Sequence, residues 1–241
     1  MIVLLVPPKN NYPFPKPSID IFGQGFPYIA GALKKAGHEV FGVNTNHLWC
    51  QDSAQLTLSK SLRKAIEKYQ PHLIGVGGLS ANYSFVRDAI RFVRQFAPDI
   101  PIVCGGGIIT YDHQFIFTDL RPDFAINGEG EESIVALANY LEKGGNINSI
   151  VNISYWDNDT PVFTKTAYSN TKLEDLPWPD YSPFDLEAYL EGFNQADNIF
   201  TYTRTSPRIM PITLGRSCPF KCTFCCHTTG PTYRGRSIDN A

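Results

Sequence analysis

No apolar stretch in this 241-residue chain approaches the ~18 consecutive residues that a bilayer-spanning helix requires. The opening run from Met1 to Pro7 is too short for that role and lacks the basic start of a signal peptide, so it reads as a buried strand. Basic excess is missing as well. With 21 Lys and Arg against 23 Asp and Glu the net charge is -2, which leaves no electrostatic footprint for nucleic acid. Internal repeats and low-complexity tracts are absent. Histidine is scarce, with five in all and none before His38, and cysteine is limited to six. These absences describe a cytoplasmic protein of one large or two smaller domains, with no membrane span and no nucleic-acid partner. Loops are plentiful, since the chain carries 19 Gly and 18 Pro.

Residues 1–145 alternate short apolar runs with amphipathic patterns. Strands are expected at Ile2–Val6, Val40–Asn44, Leu73–Gly77, Ile102–Cys104 and Phe124–Asn127. Helices are expected near Pro27–Ala36, Leu56–Tyr69, Phe85–Phe96, Gln114–Asp119 and Glu132–Leu141. The third helix carries Phe85, Val86, Ala89, Ile90, Val93 and Phe96, a stripe at the helical period. Gly37 closes the first helix and Pro71 stops the second. Such alternation implies an α/β fold with a parallel sheet covered on both faces, a doubly wound, flavodoxin-like domain. From residue 146 the pattern changes. Ile150–Trp156 and Val162–Ala167 flank Asp157–Thr160 as a β-hairpin, and Lys172–Pro183 follow as an acidic, Pro-studded linker. Trp178 and Tyr181 are expected to anchor that linker in the core.

In such sheets a ligand lies outside the carboxyl ends of the strands. The loops at that edge are Gly77-Gly-Leu-Ser-Ala81, Gly105-Gly-Gly-Ile-Ile-Thr110 and Asn127-Gly-Glu-Gly-Glu-Glu132. Glycine there lets backbone approach a ligand closely, or serves only to make tight turns. The dinucleotide fingerprint Gly-x-Gly-x-x-Gly is missing after the first strand, where a Pro-rich loop from Pro7 to Gly25 stands instead. Residues that would touch a substrate are expected to be missing from this sequence or to stand in the Pro8–Gln24 part of that loop.

Near the end stand Cys218, Cys222 and Cys225, a Cys-x₃-Cys-x₂-Cys triplet. A structural zinc site or an ordinary ferredoxin cluster takes four ligands. Three thiolates so closely spaced point to a cubane iron–sulfur cluster with one iron open to a small molecule. The alternative is zinc held by Cys218, Cys222, Cys225 and His227. Cys226 reads as a spare thiol, and Cys50 and Cys104 as reduced packing residues.

The run Cys218, Cys222, Phe224 and Cys225, after the apolar strand-like stretch Ile209–Leu214, resembles the signature of the radical S-adenosylmethionine (SAM) superfamily. That resemblance implies a [4Fe–4S] cluster on the three cysteines, SAM on the open iron with Phe224 near its adenine, and reductive cleavage to a 5′-deoxyadenosyl radical. Gly25–Ala30, Ala36–Val40, the turn at Gly105 and the turn Gly128–Glu131 together resemble the cobalamin-binding domain that precedes the radical core in one branch of the superfamily. This implies cobalamin across the strand ends, with Ser80, Gly105, Gly106, Gly107, Gly128 and Glu129 as candidate contacts. Many cobalamin proteins supply a lower cobalt ligand from Asp-x-His-x-x-Gly after the first strand. No histidine stands there, so no protein imidazole is expected beneath the cobalt, and His47 and His113 read as surface residues. His38, after Gly37, is placed to meet the final carbonyls of the first helix. The expected organisation is a cobalamin-binding-like domain over 1–145, a hairpin and linker over 146–207, and the start of a partial (β/α) radical SAM barrel over 208–241, a fragment or truncated product inactive alone. The resemblance further implies a small-molecule substrate and an electron donor such as flavodoxin or ferredoxin, for methyl transfer or radical rearrangement or cyclisation. The competing function class is a stand-alone corrinoid-binding module.

Overall fold

Alternation within the first strand, β1 (Ile2–Val6), sends Leu4 and Val6 to one face of a sheet and Val3 and Leu5 to the other, and all four are buried. A strand buried on both faces needs cover on both. The computed structural model of the chain, which describes residues 1–18, 23–193, 211–220, 222–225 and 229–240, supplies it. Parallel to β1 run β2 (Glu39–Gly42) and β3 (Leu73–Gly77), followed by β4 (Ile102–Gly105) and β5 (Phe124–Ile126). The order β2-β1-β3-β4-β5 is that of a flavodoxin-like, doubly wound sheet with its switch point between β1 and β3.

Helices α1 (Gly25–Lys35) and α6 (Glu131–Lys143) cover one face, burying Ala30, Leu33, Ile134 and Leu137 against Val3, Leu5 and Val103. The opposite face is covered by α2 (Ala54–Tyr69), α3 (Tyr83–Phe96), α4 (Gly107–Tyr111) and α5 (His113–Leu120). The expected stripe on α3 is buried at Phe85, Val86, Ala89, Ile90 and Val93. Termination follows local chemistry. Gly37, at φ +89°, donates its N–H to Lys34, and His38 donates to Leu33, a Schellman closure of α1. The α2 helix ends at Tyr69 on a left-handed Gln70, one residue before Pro71.

The hairpin forms with shorter strands than expected, β6 (Ile153–Asp157) and β7 (Thr160–Phe163), turning on Asn158 and Asp159, both at positive φ. It does not stand apart from the sheet. β6 pairs antiparallel with β5, giving seven strands in the order β2-β1-β3-β4-β5-β6-β7. The helix α4, directly after the Gly105–Gly107 turn, was not expected, because three glycines read as a loop.

The linker lies on the face of α1 and α6. Leu173, Leu176 and Phe184 are buried, and the short α7 (Leu186–Phe193) adds Tyr189 and Leu190 to the same core. Glycine notches receive its backbone: a Cβ at Gly31 would stand 2.3 Å from the Trp178 carbonyl oxygen, and one at Gly42 would stand 2.4 Å from that of Pro183. Tyr181 packs against this core, but Trp178 is half exposed beneath the Arg236 guanidinium, so it is no core anchor. The strand-like stretch Ile209–Leu214 also needs correction. Its first two residues lie outside the described residues, and 211–214 form no strand; pairing starts at β8 (Gly215–Arg216), antiparallel to β9 (Arg234–Gly235). No described helix is long and apolar enough to cross a membrane.

Candidate functional site

Three loops meet at the carboxyl edge of the sheet, after β3, β4 and β5. The first two are locked together: Ile108 donates its N–H to Gly78 at 2.9 Å, and Gly78 donates to Gly105 at 3.3 Å. This approach explains two glycines outright. A Cβ at Gly77 would stand 2.2 Å from the Gly105 carbonyl oxygen, and one at Gly106, where φ is +87°, would stand 2.8 Å from that of Gly78. Gly105 differs, since a Cβ there would find only the Ile126 carbonyl oxygen, at 3.9 Å. Gly107 lies under the side chains of Leu79 and Tyr111. Leu79 and Tyr111 are themselves more than half exposed, and Ser80 opens an exposed 3₁₀ turn, Ser80–Asn82, beside them. The result is an apolar shelf with a hydroxyl at its rim and free space where a side chain at Gly105 would stand. That surface is exposed and largely apolar, with little side chain above the Gly105–Gly107 turn.

Beside the shelf, Gly128 (φ +76°) donates its N–H to Thr110 Oγ1 at 3.1 Å, tying the loop after β5 to α4. A cavity of about 240 Å³ opens here between Thr110, Asn127, Asn152, Tyr168 and Thr229. Glu129 lines it too, yet its carboxylate is committed elsewhere. Arg216 Nη1 stands 3.0 Å from Glu129 and Arg216 Nη2 stands 2.5 Å from Glu131, while Arg234 pairs with the other Glu129 oxygen. Burial opposes the Arg216 charge, but the Glu131 and Glu129 carboxylates outweigh it and hold its pKa above the ordinary value.

These arginines flank the cysteine loop. Arg216 and Arg234 pair across β8 and β9, and Ser217, at positive φ, donates its hydroxyl to the Gly230 carbonyl. Cys218 is half-buried; Cys222 and Cys225 are exposed, and Cys225 donates its N–H to the Cys222 carbonyl at 3.1 Å. Phe220 and Phe224 are exposed as well. Three thiols within residues 218–225 of a surface loop are a donor set suited to an iron–sulfur cluster. Among the described residues, no three metal-ligating side chains already converge. Cys226 and His227, the spare thiol and the zinc alternative, lie outside the described residues. Cys104 is core, its thiol pushed by burial up to about 12, and Cys50 is buried.

His38 turns its ring to the N-terminal amine, 3.3 Å from Nδ1, and its backbone rather than its side chain meets the end of α1. His113 sits edge-on to Phe163, and His47 is half-buried in the loop after β2. The loop after β1 is filled from within by Lys9, which is 1% exposed and donates to the carbonyls of Lys16 and Thr45. Sequence reasoning missed Lys9, Glu131, Arg216 and Arg234. The available signal was a charged residue at each end of a pair of motifs, Arg216 just before Ser-Cys and Glu131 closing the Gly-Glu-Gly-Glu turn.

A family model described as the B12 binding domain matches residues 18–138, half of the chain. Among curated proteins the chain is similar to an anaerobic magnesium-protoporphyrin IX monomethyl ester cyclase of Synechocystis sp., 26% identical over 231 residues, which is 93% of this chain and 42% of that protein. It is also similar to an uncharacterized methyltransferase of Pyrococcus horikoshii, 24% identical over 188 residues, 76% of this chain and 38% of that one. The chain thus spans about two fifths of these relatives' length. Among solved structures, radical S-adenosylmethionine methyltransferase TsrM from Kitasatospora setae, with cobalamin and a [4Fe–4S] cluster bound, superposes with a TM-score of 0.70 at 18% identity, covering 99% of this chain and 44% of that one. The cobalamin-dependent S-adenosylmethionine radical enzyme OxsB, with aqua-cobalamin bound, gives 0.72 at 17%, covering 99% and 30%. At these identities the solved structures establish the fold.

Proposed function

This chain belongs to the B12 binding domain family, and from that premise we propose that it is the corrinoid-binding part of a cobalamin-dependent radical SAM enzyme together with the start of its radical SAM part. One observation carries the reading: the cysteine loop is fastened, through Arg216, to the same turn after β5 that borders the corrinoid shelf. The two cofactor sites then share one edge of the sheet.

On this reading Leu79 and Tyr111 support the corrin face, Ser80 offers a hydroxyl to its amides, and the Gly105, Gly106 and Gly107 turn keeps side chains out of its way, with Gly128 and Glu129 at its margin. No histidine occupies the loop after β1, so that loop would offer a bound cobalt no imidazole. Electron paramagnetic resonance of the Co(II) form tests this, and nitrogen superhyperfine coupling from a protein imidazole would refute it. Cys218, Cys222 and Cys225 would hold a [4Fe–4S] cluster, and the exposed Phe224 would be available to the adenine of SAM. When bound, that cluster supplies the electron for reductive cleavage of the sulfonium, and a flavodoxin- or ferredoxin-like protein replenishes it. The activity of the whole enzyme is methyl transfer or a radical rearrangement or cyclisation of a small molecule.

Anaerobic reconstitution tests the assignment. Cys218→Ala, Cys222→Ala and Cys225→Ala are each expected to abolish the iron–sulfur absorbance and low-temperature resonance signal, and Cys226→Ala to preserve them. Stoichiometric zinc in the loop would sink the proposal. Hydroxocobalamin uptake without iron incorporation would leave a corrinoid-binding module instead.

A further inference from the structure

Four side chains fasten the cysteine loop to the sheet edge. Arg216 precedes Cys218 by two residues, Arg234 stands opposite it on β9, and both guanidiniums enter the turn after β5. Arg216 bridges Glu129 and Glu131, and Arg234 takes the second oxygen of Glu129. Side-chain exposures of 7–13% place the whole group nearly out of solvent. Two cations and two carboxylates cancel, so no member is left uncompensated. Glu131 sits in the first turn of α6, where the helix dipole favours a carboxylate, and the Tyr28 ring lies 4.9 Å from the Arg216 guanidinium carbon.

A buried, two-armed guanidinium fixes orientation in a way that an exposed pair cannot. Glu129 belongs to both sites at once. Its neighbour Gly128 is hydrogen-bonded to Thr110 of α4, in the loop system that makes the corrinoid shelf, while its carboxylate holds both strands of the cysteine hairpin. Displacing the turn therefore displaces the loop, and ordering one orders the other.

We infer that the Glu129–Arg216–Glu131 network couples corrinoid binding at the strand edge to cluster binding at the cysteine triad, with Arg216 as the positioning residue. The inference rests on the corrinoid-and-cluster reading above. Coupling between sites is reciprocal, so each cofactor raises the affinity of the chain for the other. A purely structural tie would stabilise the fold without changing that ratio.

The experiment is a visible-absorbance titration of the full chain with hydroxocobalamin, with and without an anaerobically reconstituted cluster. The unsubstituted chain is expected to bind on the order of tenfold more tightly when the cluster is loaded. Arg216→Gln and Glu131→Gln are expected to bind with one affinity in both states. Arg216→Lys keeps the charge, loses the two-armed grip and retains only part of the ratio; it decides the matter should the glutamine variant fail to fold by circular dichroism. A ratio near one in the unsubstituted chain, or an unchanged ratio in both Arg216 variants, overturns the inference while the two cofactor sites stand. A chain that takes up neither cofactor overturns the underlying reading and this coupling with it.

Discussion

Single residues at the strand edge carry both the tight turns and the ligand surface, and the two roles separate by asking what a side chain would meet. Gly106 has a steric reason of its own, with positive φ and the Gly78 carbonyl 2.8 Å from the position of a Cβ. Gly106→Ala is expected to lower stability by about 1–3 kcal/mol in urea unfolding. Gly105 has no such neighbour, so Gly105→Ala should leave stability nearly unchanged while weakening hydroxocobalamin binding; an unaltered affinity would remove it from the site. A second residue-scale consequence concerns His38. Burial, and then the N-terminal amine, hold its pKa below the ordinary value, with Glu142 opposing and Lys143 adding. The unfolded chain therefore takes up this proton first as pH falls. Stability from the neutral ring is complete above the ordinary histidine range and declines below it. Urea midpoints between about pH 8 and about pH 5 should fall for the native chain and fall less for His38→Gln.

At the scale of elements, regular pieces with strong periodicity were readable and irregular ones were not. The α3 stripe, the β1 and β3 cores, and the stops at Gly37 and Pro71 follow from local chemistry alone, which neighbours merely accept. Ser53 is a further example, since its hydroxyl accepts from Leu56 N–H at 3.1 Å and so starts α2. Ser53→Ala should cost about 1 kcal/mol in the same unfolding measurement. By contrast α4 begins on glycines that ordinarily mark loops, and it forms because its Ile108 and Ile109 are buried and its first N–H groups find Gly78 and Gly106. The strand expected at Ile209–Leu214 does not form over 211–214, where Ile212 and Leu214 are half exposed rather than stacked in a sheet.

Across the whole molecule, long-range ties join segments that no local pattern connects. Asn44, 4% exposed, donates to the Phe184 carbonyl at 2.9 Å and accepts from Asn46, so one amide binds the loop after β2 to the linker some 140 residues away. Asn44→Ala removes this hydrogen bond; a loss of about 1 kcal/mol and faster amide exchange near Phe184 are expected. The sequence by itself determined most of the regular elements of residues 1–145, the parallel doubly wound sheet and the absence of a histidine after the first strand, because periodicity and local stop signals depend on neighbours a few residues apart. Only the tertiary structure decided that the hairpin would complete the sheet, that glycine notches would seat the linker, and that Arg216 and Arg234 would meet Glu129 and Glu131. The last two outcomes hang on burying backbone and charge between segments more than 80 residues apart in sequence, a separation over which no periodic pattern carries information.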